Sequence, residues 1–218
     1  MRAGMLQVVR AVFLLAAGAA AVQGSVDDVV DRVQARFDAT SDFTAKVDQE
    51  LVIASAGRTL RAHGTVAFKR PGKMRWNLQN DEPQIIVADG KTLWFYQPEE
   101  QQVLRSPFET AFNSSTPISF LTGVGRIRDD FDVSIDGSAQ GKVTLALLPR
   151  RQGGEVGRLR LTVDTENYDI VAAEIFDPLG NITRLRFSGL KRNGGLDDSL
   201  FEFEVPDGVD VIDAPTGY

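Results

Sequence analysis

His63 is the only histidine in the chain, and there is no cysteine. A single imidazole could serve as a base or a metal ligand, but with no second histidine or thiolate near it a plain surface or strand residue is the better account. Acids are more plentiful. Asp129, Asp130, Asp132 and Asp136 cluster before Gly137. A calcium loop needs oxygens at alternate positions, a glycine at the sixth and a glutamate at the twelfth, which this spacing does not provide, so these read as turn and strand-surface charges. Glu99-Glu100 is the most obvious carboxylate pair and reads as a solvated turn. Gly123-Val124-Gly125 lacks a third glycine and follows no predicted strand, so it is not a nucleotide fingerprint. Asn113-Ser114-Ser115 and Asn181-Ile182-Thr183 match the glycosylation pattern, which is short enough to arise by chance.

One stretch stands apart. Residues 68–104 hold both tryptophans, Trp76 and Trp94, with Phe68, Phe95 and Tyr96 and the basic side chains Lys69, Arg70, Lys73 and Arg75. Two readings fit: a strand-rich core with a basic turn, or an aromatic cavity wall with a cation at its rim.

The elements that must position these residues follow from periodicity. Val26, Val29, Val30, Val33 and Phe37 keep helical spacing over 25–37, with Ser25 as cap and Asp27 and Asp28 in the first turn. Strand alternation takes over from 42 to 105, broken by Ala56-Gly57, Pro71-Gly72, Asp89-Gly90 and Gln97-Pro98. Asp89-Gly90 predicts a hairpin. Ser106-Pro107-Phe108-Glu109 and Thr116-Pro117 predict two short apolar helices over 106–123. Further strands are predicted at Phe131–Ile135, Val143–Leu148, Arg158–Val163, Ile170–Phe176, Ile182–Phe187 and Phe201–Val205. About ten strands with so few helices predict one curved antiparallel sheet, either filled or hollow on its buried face.

Arg2 and Arg10 are the only charges before Asp27, and Ala11 to Val22 is a short apolar run. That is the pattern of a signal peptide over residues 1–24, removed to leave one domain over 25–218. The remainder carries 22 basic and 30 acidic residues, a net charge of −8, which offers no attraction to nucleic acid or to anionic lipid. With no cysteine there is no disulfide and no lipid-modified N-terminal thiol.

The 68–101 stretch resembles the periplasmic outer-membrane lipoprotein carrier family, LolA. The shared positions are Phe68 through Trp76, then Pro83, Val87 through Tyr96, Pro98 and Gln101. Phe43 with Gln49 upstream, and Phe201-Glu202-Phe203, Pro206, Gly208 and Val209 to Ile212 downstream, extend the likeness over the chain.

The resemblance implies a mainly β fold, an unclosed antiparallel half-barrel covered by a lid of short helices. It implies a monomeric, non-enzymatic chaperone of the periplasm, without cofactor or metal. Such a chaperone takes acylated lipoproteins from an ATP-driven releasing complex in the inner membrane to a receptor in the outer membrane. An exported half-barrel that binds another amphiphile is the alternative. Arg70 corresponds to the family's arginine before proline, which implies a latch holding backbone carbonyls of a lid helix. The expected cavity lining is Phe43, Val47, Leu51, Met74, Trp76, Leu78, Ile86 and Leu93, with Phe108, Phe112, Ile118 and Leu121 on the lid.

Overall fold

Ser25 starts the first helix through a reciprocal cap. Its hydroxyl accepts from the Asp28 amide, and the Asp28 carboxylate accepts from the Ser25 amide. The helix, α1 (Val26–Asp38), buries Val29, Val30 and Val33 along one face. The computed structural model describes residues 25–80, 82–111, 126–150 and 157–214.

Most of the other described residues form one twelve-stranded sheet. Its first run is β1 (Asp42–Ile53), β2 (Arg58–Lys69), β3 (Lys73–Gln79), β4 (Gln84–Asp89), β5 (Thr92–Gln97) and β6 (Gln102–Pro107). Among the described residues two short helices follow, α2 (Phe108–Ala111) and α3 (Ile127–Asp130). The second run is β7 (Phe131–Ala139), β8 (Lys142–Pro149), β9 (Arg158–Asp164), β10 (Ile170–Phe176) and β11 (Ile182–Arg192), and β12 (Asp210–Asp213) closes the series. The spatial order is β12-β6-β5-β4-β3-β2-β1-β11-β10-β9-β8-β7, so β1 joins the two runs and the sheet stays open between β12 and β7. All neighbours pair antiparallel except β12, which runs parallel to β6.

The hairpin at Asp89-Gly90 forms as its residues require. Gly90 has φ +93°, and Asp89 Oδ1 accepts from the Lys91 and Thr92 amides. Two expectations fail. Ser106 and Pro107 end β6 opposite Leu93 and Thr92 instead of capping a helix, so the helix begins only at Phe108. Phe201–Val205 is not a strand: Asp198–Phe201 is a 3-10 helix, and the last strand lies further on at Asp210–Asp213.

The two faces of the sheet are covered differently. On the inner face, rows such as Phe43–Phe68–Met74–Ala88–Leu93 and Ala45–Val66–Trp76–Ile86–Phe95 run across the strands. Leu145–Leu161–Ala173–Leu185 continues this face in the second run. These rows and the α1 valines form one core cluster.

The outer face of the second run is ionic. Asp136, Arg160, Glu174, Arg184, Glu50 and Arg61 link in sequence across it. The outer face of the first run is covered by chain 196–206. Val87, Val103 and Phe201 are fully buried there, and the Phe203 ring centre lies 6.1 Å from that of Trp94 and 5.8 Å from that of Tyr96. Lys69 and Lys73 hold Asp198, and Arg75 Nη1 donates to the carbonyls of Leu200 and Glu202.

Gly64 lies where β2 and β3 leave no space for a side chain between them. A Cβ there would lie 1.9 Å from the Asn77 carbonyl oxygen, so only glycine lets the strands come this close. Gly64→Ala should destabilise the fold by about 3 kcal/mol, the upper end for an overpacked site, measured by urea unfolding.

The hydrogen bonds from Lys69 and then Lys73 hold the Asp198 carboxyl down to about 2. A depressed value means the tether is fully in place above the unfolded carboxyl range near pH 4 and is lost as pH falls through about 2. Loosening of the segment over that window should appear in the near-ultraviolet circular dichroism of Trp94, and Asp198→Asn should remove the transition.

Candidate functional site

The inner face of the sheet is apolar, and α1 lies over it. Val29, Val30 and Val33 belong to the same buried cluster as Val47, Val66, Phe68, Met74, Trp76 and Leu78. Where the C-terminal half of α1 meets the sheet, a cavity of about 60 Å³ remains. Its walls are Val33 and Phe37 from α1, Phe43 and Phe68 from β1 and β2, and Phe187 and Leu190 from β11. This is room for a handful of waters and not for a long acyl chain.

The edges of α1 are fastened by polar contacts. Arg70, in the β2–β3 turn, donates from Nη2 to the Phe37 carbonyl at 2.8 Å. Its guanidinium carbon stands 4.3 Å from the Phe37 ring centre, and Nη1 is 3.8 Å from Asp38 Oδ1. A helix end leaves its last carbonyls without partners, and Phe37 O takes both this donor and the Thr40 amide.

On the opposite edge, Asp169, in the turn before β10, accepts from Arg36 Nε at 2.9 Å and pairs with Arg192 of β11. Beside it Tyr168 is held at φ +60°, an uncommon backbone for an aromatic residue, with Arg32 of α1 over its ring. At the other end Arg128 of α3 pairs with Asp27 and Asp31. The connector to β1 is pinned as well. Asn193 accepts from the Ser41 amide and donates to the Ala39 carbonyl, while Asp42 accepts from the amides of Gly194 and Gly195. The helix is thus greasy beneath, ionic around its margin and fixed at its exit.

Of the sheet residues expected on the cavity wall, Phe43 lines this cavity, and the others lie elsewhere on the same inner face. Val47, Met74, Trp76 and Leu78 are buried; Phe43, Ile86 and Leu93 are partly buried against them; Leu51 lies half-buried toward the β1–β2 turn. Phe108 of α2 is buried, its ring 3.0 Å from where a Cβ on Gly72 would stand. Phe112, Ile118 and Leu121 lie outside the described residues.

The aromatic and basic stretch divides between the faces. Trp76 points inward, whereas Trp94 and Tyr96 point outward to Phe203. Lys69, Lys73 and Arg75 serve the outer segment, and of these four cations Arg70 is the one that reaches α1. Arg70 holds a backbone carbonyl of the N-terminal helix; of the 106–123 stretch in which the lid is expected, residues 112–123 lie outside the described residues. Sequence reasoning missed Asp169, Tyr168, Arg192 and Phe187; the one available signal was that the valine stripe of α1 needs an apolar partner.

Fold and site together define an unclosed β half-barrel with a covered apolar interior. An uncharacterized conserved protein from Thermus thermophilus shares the fold, with a TM-score of 0.56 at 15% identity over 88% of this chain and 100% of that one. The family described as "Outer membrane lipoprotein carrier protein LolA" matches residues 38–204. The outer-membrane lipoprotein carrier protein of Dechloromonas aromatica is 31% identical over 189 residues, 87% of this chain and 88% of that one. The protein of the same name from Azotobacter vinelandii is 30% identical over 204 residues, 92% of this chain and 97% of that one. The chain belongs to the LolA family of lipoprotein carriers.

Asp169 serves two guanidinium groups while its own side chain is 12% exposed. Asp169→Asn should cost about 2 kcal/mol in urea unfolding, the worth of charged hydrogen bonds at a partly buried site. Arg36→Gln, at a more exposed position, should cost less than about 1 kcal/mol.

Proposed function

We propose that the protein carries acylated lipoproteins through the periplasm, holding their acyl chains on the inner face of the half-barrel beneath α1 and the 108–121 stretch. In this reading residues 1–24 direct export and are removed, residues 25–218 act as one monomeric domain, and no catalysis is involved. The chain receives its cargo from an ATP-driven releasing complex of the inner membrane and yields it to an outer-membrane receptor. The observation that carries the reading is the cover itself, an apolar inner face under a helix whose margins are held by breakable polar contacts.

Magnitudes favour the exchange. Exposing three buried valines of α1 costs about 5 kcal/mol, at roughly 1.5 kcal/mol each. Sheltering one chain of about 15 methylenes returns about 12 kcal/mol. Cargo can therefore lift the cover, whereas an empty carrier keeps it shut. Release needs the reverse, and contacts that re-form only on closure help to expel the chain. Arg70 is such a contact: it favours the closed, empty state by holding the Phe37 carbonyl.

Arg70→Leu should leave the protein folded and able to accept lipoprotein from spheroplasts supplied with ATP, yet slow its transfer to outer-membrane receptor by about tenfold or more, followed by the lipoprotein left in the soluble fraction. Normal transfer by this variant would remove the latch from the mechanism. Failure of the wild-type chain to solubilise any lipoprotein would remove the carrier reading.

A further inference from the structure

Trp76 carries the one polar atom of the inner-face core that nothing in the described fold explains. Its side chain is buried, and its indole Nε1–H has no hydrogen-bond partner among the described residues. A buried donor left unpaired costs about as much as a lost hydrogen bond, and phenylalanine would fill much of the same space without that cost. Water does not solve the problem readily, because the neighbours are Val66 and Ile86 across the strands and the rings of Phe68 and Phe187, none of which offers a polar side-chain atom. The other unpaired buried nitrogen, Arg160 Nε, is a different case, since that guanidinium already pairs with Asp136 and Glu174 through its remaining nitrogens.

The location of Trp76 matters. Phe68 and Phe187, which meet the indole edge-on with ring centres 6.0 and 6.5 Å away, are walls of the cavity beneath α1. Trp76 therefore stands one ring behind the present cavity, on the path that opens when α1 lifts. An indole N–H donates and cannot accept, so it selects a ligand with a buried acceptor. The acceptor an acyl chain brings with it is the carbonyl at its head.

We propose that Trp76 is a specificity-determining cargo contact, whose N–H donates to the ester or amide carbonyl of an acyl chain bound on the inner face. This rests on the acyl-binding reading above and adds what it recognises, acyl-linked chains over ether-linked or free hydrocarbon chains. In the empty protein the donor waits unpaired, which weakens the closed state slightly and is offset only when a carbonyl arrives.

The test uses two neutral amphiphiles with the same chain and the same glycerol head, 1-palmitoylglycerol and its ether counterpart 1-O-hexadecylglycerol, titrated calorimetrically into the full mature chain. The wild-type protein should bind the ester about fivefold tighter, the worth of one net hydrogen bond. Trp76→Phe should bind the ether as the wild type does, lose the preference for the ester, and melt at the same or a higher temperature. Trp94→Phe, altered on the outer face, should keep the preference. Equal affinity for ester and ether in the wild type, or a preference that survives in Trp76→Phe, overturns the proposal while leaving acyl binding intact. Absence of binding to either amphiphile by the wild type overturns the acyl-binding reading, and this proposal with it.

Discussion

Val29, Val30 and Val33 of α1 are almost wholly withdrawn from water, and the apolar face they press against has no other described helix of comparable length to cover it. That contact orders the rest of the molecule. A sheet left open between β12 and β7 buries its inner face only if something lies across it. The capping box at Ser25 makes α1 long enough to do so, and the Asn193 and Asp42 hydrogen bonds fix where it leaves for β1. Apolar attraction beneath the helix is non-directional and does not distinguish a valine from a methylene, so an acyl chain can replace it. The contacts at the margin are directional. They define one closed position to which the empty protein returns.

The outer face shows what the same sheet does where no cargo is expected. Across β7 to β2 it carries a chain of ion pairs from Asp136 through Arg160, Glu174, Arg184 and Glu50 to Arg61. Across β3 to β6 it is closed by the C-terminal segment, whose Phe201 and Phe203 form a second small core with Val87, Val103 and Trp94. Three of the four basic residues near the β2–β3 turn hold that segment, which leaves Arg70 as the one directed at α1.

Much of this was legible where the signal is local. The Ser25 cap and the valine spacing define α1, and Asp89-Gly90 defines its hairpin, because a few neighbouring residues decide each. Phe201–Val205 alternates like a strand but is drawn onto the outer face, with the carbonyls of Leu200 and Glu202 taken by Arg75, so tertiary contact overrides the pattern. Trp76 and Trp94 look equivalent in the sequence. Only the β4–β5 register, which sets Ala88 against Leu93 and Val87 against Trp94, sends them to opposite faces. Asp169 meets Arg36 across 133 positions, a pairing that no spacing rule reveals. The positions shared with the LolA family are concentrated in the first run of strands, whereas the cavity lies between that run and β11.

The most direct test of the central claim is to load the carrier with a lipoprotein whose acyl chains bear a photoactivatable group, irradiate it, and map the labelled residues by mass spectrometry. Labels on Phe68, Trp76 and Phe187, and on the buried side of α1, are the expected result. Labels concentrated on Trp94, Phe203 or the ionic outer face would contradict it.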